Sequence, residues 1–267
     1  MMRNLLRKVR SIADNGVELI TILPDYEELY EQHAKQHVED EAVGNGDFEI
    51  IGQIELSVLK WAGMQPTSSL LDFGCGTGRL AIHAIPHLRE GAYLGVDISP
   101  TMLERAQRRV DELGLAERKP VWKVETSPAF ANLNDISVGF CCAFSVFTHM
   151  DAEDSLLYLQ ALRRVVRPGG RLVVSHLLLD ESKEAQNVLV MSSTIPYRER
   201  RKRVLSVTTT RSHFETLAKL TGWRVVDWVR HDAEVFPYGP DGSSMGALGQ
   251  AICLLENRSE PFGIDRP

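Results

Sequence analysis

Ser69-Leu70-Leu71-Asp72-Phe73-Gly74-Cys75-Gly76-Thr77-Gly78-Arg79-Leu80 is the stretch on which the reading of this chain turns. Ser69 through Phe73 is a short apolar run. Three alternate glycines follow, and Leu80, Ala81, Ala84 and Ile85 then recur at helical spacing. The pattern predicts a buried strand, a tight turn and a helix from Gly78 to Leu88. Glycine adopts positive φ without strain and lets a ligand approach bare backbone. The unpaired amides of a helix start then face whatever docks there. Tyr93-Leu94-Gly95-Val96-Asp97-Ile98 reads as a second strand that ends in an acid. Asp97 falls about 20 residues past the turn, the spacing at which nucleotide-binding βαβ units present a carboxylate to a ribose.

The glycine pattern separates ligand classes. A phosphate-binding P-loop requires Gly-Lys-Ser/Thr, whereas Gly78 precedes Arg79-Leu80. A dinucleotide fold requires G-x-G-x-x-G, and the third glycine here arrives one residue early, which disfavours a nicotinamide dehydrogenase. Asp-x-Gly-x-Gly-x-Gly with a downstream acid resembles the class I S-adenosylmethionine-dependent methyltransferases. The resemblance implies that Asp72, Gly74, Cys75, Gly76 and Gly78 wrap the methionine part of that cofactor and that Asp97 accepts from both ribose hydroxyls. An acid at Asp72 suits a ligand carrying a sulfonium and an ammonium. A second phrase of this family, Arg167-Pro168-Gly169-Gly170-Arg171-Leu172, stands before an apolar run. Gly169-Gly170 is read there as a helix C-cap and turn.

The implied fold is α/β: a doubly wound, mostly parallel seven-stranded sheet of the Rossmann-like methyltransferase kind. An N-terminal helical cap or lid occupies residues 1–65 and the core residues 66–258. A substrate-side insertion covers residues 180–211, and residues 259–267 form a tail. The chain has 267 residues, enough for one such domain with a cap. Hydrophobic residues make up 43% and charged residues 25%, ordinary globular values. A net charge of −6 argues against a dedicated nucleic-acid binder. The four cysteines form no C-x-x-C pair and are expected reduced and buried, as in a cytoplasmic protein. No apolar run reaches spanning length, and the N-terminus lacks the apolar core of a secretory signal. The basic amphipathic pattern of residues 3–12 predicts a helix covering the core or a partner rather than a membrane anchor. A homodimer is left open.

The remaining candidates follow the chain. Tyr26 to Val38 and Phe48 to Trp61 read as helices around a glycine-rich break, and the resemblance makes Tyr30 and Phe48 lid residues. Ile98 and Met102 flank Asp97 and can sandwich a base. By resemblance, Glu125 or Thr126 at the third strand's end reaches the adenine amino group. His83 and His87 have a metal-like spacing but lack an intervening Glu, so no metal site is expected. The fourth strand, Val138 to Phe147, would end beside the transferable methyl, with Phe144, Ser145 and His149 lining the pocket. Asp151 reads as a helix N-cap. Tyr197 lies in the insertion beside the basic run Arg198 to Arg203, which is read either as an anion-binding element or as a solvated face. His149 and His176, at strand ends, are the general-base candidates, because imidazole titrates near neutral pH. The expected activity is methyl transfer from S-adenosylmethionine to a small molecule, most naturally a hydroxyl oxygen of a sugar or secondary metabolite. N-methylation of a small amine is the alternative within the class. A non-catalytic nucleotide- or partner-binding protein is the alternative outside it.

Overall fold

The computed structural model describes residues 26–37, 46–133, 137–200, 203–204, 206–229 and 235–258. The expected first helix, Gly44 of the glycine-rich break and the tail lie outside the described residues. In chain order the helices are α1 (Tyr26–Gln36), α2 (Phe48–Trp61), α3 (Ala81–His87), α4 (Pro100–Glu112), α5 (Ala152–Val165), α6 (Lys183–Ser193), α7 (Tyr197–Arg200) and α8 (Arg211–Leu220). The strands are β1 (Ser69–Phe73), β2 (Ala92–Asp97), β3 (Val121–Val124), β4 (Val138–Ala143), β5 (Val166–His176), β6 (Trp223–Val229), β7 (Phe236–Tyr238), β8 (Ser244–Gly246) and β9 (Ala251–Asn257). Seven of these strands form one sheet in the order β3-β2-β1-β4-β5-β9-β6. Strands β1 to β5 pair in parallel, and β9 runs antiparallel between β5 and β6.

Alternation along each strand splits the core in two. Leu71, Phe73, Cys141, Leu172 and Val174 point to one face, which is covered by α5 and α8. Leu70, Tyr93, Cys142 and Val173 point to the other, covered by α2 and α3. With both faces buried, the strands read as nearly continuous apolar runs. This two-sided burial is the doubly wound arrangement that the strand pattern and the resemblance imply.

Several local expectations are corrected. The helix after the glycine turn begins at Ala81, three residues later than expected, and its N-cap Leu80 offers no side-chain acceptor. Residues 76–80 are spent on turns. β4 stops at Ala143 rather than Phe147, because Ser145 adopts φ 56°, which ends an extended strand. Gly169-Gly170 is no helix cap. It lies inside β5, where residues 167–170 bulge opposite Gly139 between the pairs Val138↔Val166 and Phe140↔Arg171. Gly169 takes φ 76°, and a Cβ on Gly170 would come within 2.9 Å of the Gly139 carbonyl. The residue opening α8 is Thr210, whose hydroxyl accepts from His213 N. The glycine-rich stretch between β6 and β9 pairs as a hairpin, β7 with β8. The pair packs on α2 through Ser57 and Gln53, whose side chains bond Pro237 O and Gly239 N.

The cap that α5 takes in place of glycine comes from the far end of the chain. Asn257, the last residue of β9, donates from Nδ2 to Arg163 O at 3.0 Å and to Val166 O at 2.6 Å. A helix C-terminus leaves carbonyls without intrahelical partners, and here a buried amide supplies donors. Asn257→Ala should therefore lower the unfolding free energy by about 1–3 kcal/mol. Urea denaturation would register this as a lower midpoint at unchanged slope, while Asn257→Asp would recover little, because a carboxylate offers no N–H donor.

Candidate functional site

The strand order reverses between β1 and β4, and a crevice opens beyond their carboxyl ends. It holds a cavity of about 740 Å³. Asp97, at the end of β2, is buried on its wall. Its Oδ2 accepts from Gly76 N at 2.8 Å and its Oδ1 from Ser99 N at 2.9 Å. The carboxylate thus ties the glycine turn to the start of α4. Ser99 then caps that helix, its hydroxyl accepting from Met102 N at 3.2 Å. Burial raises the Asp97 carboxyl above its ordinary range, against the lowering effect of the backbone donors of Ser99, Gly76 and Ile98.

The turn is occupied differently from the sequence expectation. Gly74 N and Cys75 N donate to Val96 O, and Gly78 N donates to Cys75 O. These amides hold the turn together rather than face a ligand. Gly74 and Cys75 border the cavity, whereas Gly76 and Gly78 are not among its lining residues. Gly78 is there for a close approach: at φ 87°, an added Cβ would stand 3.2 Å from Ala106 Cβ of α4. A Cβ on Gly74 would run into Val146 at 2.3 Å.

Asp72 lies behind this turn and also borders the cavity. Tyr93 donates its hydroxyl to Oδ2 at 2.6 Å, and Cys142 Sγ donates to Oδ1 at 3.5 Å. Burial pushes the Asp72 carboxyl up to about 7, the Tyr93 hydrogen bond opposes this, and the nearby Glu55 charge adds to it. Glu55 is itself paired with Arg79 at 2.6 Å. Ile98, Met102, Glu125 and Phe144 complete the expected set on the wall. Glu125 Oε2 accepts from Asn132 N at 3.0 Å. Thr126 is exposed and lies off the cavity, since β3 ends at Val124 and the chain turns outward.

α1 covers the crevice from the other side. Glu31 Oε2 accepts from Ser99 Oγ at 2.6 Å and Oε1 from Thr101 Oγ1 at 2.6 Å. Burial raises this carboxyl, but the hydrogen bonds from Ser99, Thr101 and Lys35 outweigh it and hold Glu31 at about 2. Tyr26 donates its hydroxyl to Asp154 Oδ2 at 2.8 Å. Tyr30 is on the cavity wall, its hydroxyl pushed up by burial and by the Asp97 charge, and its ring stands edge-on to His149 at 6.0 Å. Phe48, expected as a lid residue, is core instead: it is buried on the α2 face of the sheet, with the Arg109 guanidinium 4.1 Å over its ring. Tyr197 opens α7, but its side chain is outside the described residues. Sequence reasoning missed Tyr26, Glu31 and the 247–250 segment after β8. None carries a motif: Tyr26 and the 247–250 segment reach the cavity wall, and Glu31 reaches Ser99, only through tertiary docking.

At the end of β4, Ser145 N donates to Ser175 Oγ at 2.7 Å, and Ser145 Oγ accepts from Gln250 Nε2 at 2.9 Å. These bonds hold Ser145 at its positive φ on the cavity wall. His149 follows in a single helical turn (Phe147–His149) and also lines the cavity. His176 does not. It is 3% exposed, with its ring centroid 3.9 Å from that of Phe214 and about 6.1 Å from those of Phe147 and Trp228. Its Nε2 is buried without a hydrogen-bond partner, and burial lowers its pKa to about 3. The expectation of a base at His176 is corrected: alternation along β5 turns it into the α8 face, away from the crevice.

Residues 70–170 match the family model of a methyltransferase domain. Over that stretch the chain is similar to methyltransferase domains, in line with the class I resemblance. It is 36% identical over 111 residues to a 37.1 kDa protein of transposon TN4556 from Streptomyces fradiae, covering 41% of this chain and 30% of that one. It is 31% identical over 114 residues to the O-methyltransferase resE of Aspergillus sclerotiorum, covering 42% and 40%. The chain thus spans less than half the length of these two relatives. Among solved structures, the magnesium protoporphyrin IX methyltransferase of Synechocystis PCC 6803 superposes with a TM-score of 0.59 at 17% identity, over 89% of this chain and 99% of that one.

The crevice suits, on its own chemistry, the cofactor that the resemblance implies. Two buried carboxylates, Asp72 and Asp97, sit on one wall with raised pKa values, so the crevice is short of positive charge. A ligand bearing a sulfonium and an ammonium supplies it. Ile98, Met102 and Phe144 offer the apolar surface that a flat base requires.

The placement of His176 has a measurable consequence. Its folded pKa lies below the unfolded value of 6.5, so acid protonates the unfolded chain first. Stability is therefore lost as the pH falls from about 6.5 towards 3, by roughly 2 kcal/mol between pH 7 and pH 5. His176→Phe should remove that slope and raise the thermal midpoint at pH 5. An unchanged pH profile of unfolding would contradict the neutral, desolvated imidazole.

Proposed function

We propose that this methyltransferase transfers a methyl group from S-adenosylmethionine to a hydroxyl oxygen of a small molecule. The observation that carries the reading is the Asp97 carboxylate, buried at the crevice and clamped between Gly76 N and Ser99 N. A carboxylate fixed by two amides keeps its remaining lone pairs aimed one way, which suits paired ribose hydroxyls. In this reading Ile98 and Met102 hold the base, Glu125 meets its amino group, and Asp72 and the Gly74-Cys75 turn balance the cationic end.

When bound, the cofactor supplies a methyl group activated by a sulfonium. The chain's task is then alignment and exclusion of water. α1, held by Glu31 and Tyr26, closes the crevice over that region. Ser145, fixed by Ser175 and Gln250, presents a hydroxyl to the acceptor. His149 takes the acceptor's proton as the oxygen attacks, the role for which a half-buried imidazole on the wall is suited. Similarity to an O-methyltransferase supports oxygen as the acceptor atom.

Calorimetry with S-adenosylhomocysteine tests the cofactor half. Wild-type protein should bind it, Asp97→Ala should weaken binding at least tenfold, and NAD should not bind. Binding of NAD with none of S-adenosylhomocysteine would return the chain to the dehydrogenase or non-catalytic readings. In a screen of hydroxylated aromatics and sugars, His149→Gln should lower kcat about 100-fold or more with little change in KM. His176→Phe should leave both unchanged. Full turnover in His149→Gln would remove the imidazole base and favour an amine acceptor.

A further inference from the structure

The main cavity does not end at His149. A second chamber of about 360 Å³ adjoins it, and Tyr26, Tyr30 and His149 line both. The second chamber is built largely from the 180–211 insertion. Leu189 on α6 and Val204 and Val207 beyond α7 supply apolar wall. The segment is anchored to the core where the acceptor would sit: Val207 N donates to Thr148 O, next to His149, and Leu178 bridges to Thr209.

Two arginines and one carboxylate line this chamber. Arg200 and Arg203, from the basic run that the sequence leaves unassigned, both line it. Arg200 Nη1 donates to Ser192 O at 3.3 Å, which braces the guanidinium against the last turn of α6. Arg203 follows through a backbone bond from its N to Arg200 O at 3.2 Å. The lining carboxylate, Asp151, is committed to α5, its Oδ1 accepting from Asp154 N at 3.1 Å. Two arginines thus gather at one concave apolar site in a chain whose net charge is −6. Guanidinium forks match carboxylate and phosphate oxygens bidentately, which ammonium groups do not.

We propose that this outer chamber is an anion subsite for the acceptor: the molecule to be methylated carries a carboxylate or phosphate monoester that Arg200 and Arg203 hold, while its hydroxyl lies beside His149. The inference rests on the methyl-transfer reading above and adds to it the chemical class of acceptor. The apolar walls take an aromatic or alicyclic body between the two ends. The insertion is then the element that selects substrates, and the β1–β4 crevice the element that binds cofactor.

Calorimetric titration with three probes of one shape tests this: 4-hydroxybenzoate, 4-hydroxyphenyl phosphate and 4-hydroxybenzamide. Both anions should bind at least tenfold more tightly than the amide, and the tighter of the two identifies the anionic group. Arg200→Gln combined with Arg203→Gln should abolish the preference while affinity for S-adenosylhomocysteine stays within twofold, which controls for folding. Equal affinity of the three probes overturns the proposal, as does a preference that survives the double substitution or a lack of binding by both anions. The titrations are run with and without S-adenosylhomocysteine. Failure of that compound to bind sinks the cofactor reading, and the anion preference of the chamber is scored separately.

Discussion

The Asp97 carboxylate, bridging Gly76 N and Ser99 N, is the contact on which the rest of the site depends. It links the end of β2 to two neighbours that differ in kind: a turn of positive-φ glycines and a helix start. Ser99 extends the link in a third direction. Its amide donates to Asp97, its hydroxyl accepts from Met102 N, and the same hydroxyl donates to Glu31 of α1. One serine therefore joins the Asp97 wall of the crevice, the α4 cap and the covering helix. A buried carboxylate left without such donors would be costly, so the bridge is also what allows an ionisable group to sit there.

The crevice concentrates negative charge in a dry place. Asp72, Asp97 and Glu55 are all buried, and Arg79 lies in ion-pair contact with Glu55. Tyr93 and Cys142 temper Asp72 by donation, yet burial still lifts it to about 7. An arrangement of this kind makes poor sense for stability alone, because apolar residues of similar volume would fit at less cost. It makes sense as preorganisation for a cationic ligand, whose arrival would return both carboxylates towards their ordinary range. The outer chamber has Arg200, Arg203 and Asp151 on its wall. The two chambers meet at His149.

Two histidines that look equivalent in the sequence have opposite environments. His149 falls in the turn after β4 and borders both chambers. His176 ends β5 and is boxed by Phe147, Phe214 and Trp228. The difference is one of facing: a residue at the end of a parallel strand points either into the crevice or into a helix layer. The positive φ of Ser145 breaks β4 early and redirects the chain, which is what brings His149 round to the cavity.

Sequence alone determined the β1-turn-helix unit, the placement of Asp97, the Asp151 cap and the doubly wound α/β class. Each of these is set by short-range chemistry: an apolar run flanked by glycines, an acid at a strand end, a carboxylate one residue before a helix. Tertiary structure alone decided the rest. The Gly169-Gly170 pair became a bulge because Asn257, from the last strand, already caps α5. The glycine amides turned inward because Val96 and Asp97 claim them. Phe48 joined the core, Tyr26 and Arg200 joined the chambers, and Glu31 joined Ser99, through contacts that span distant parts of the chain. Local pattern encodes which groups a residue carries and the conformation it prefers; which partner satisfies a buried polar group is settled only when distant segments compete for it.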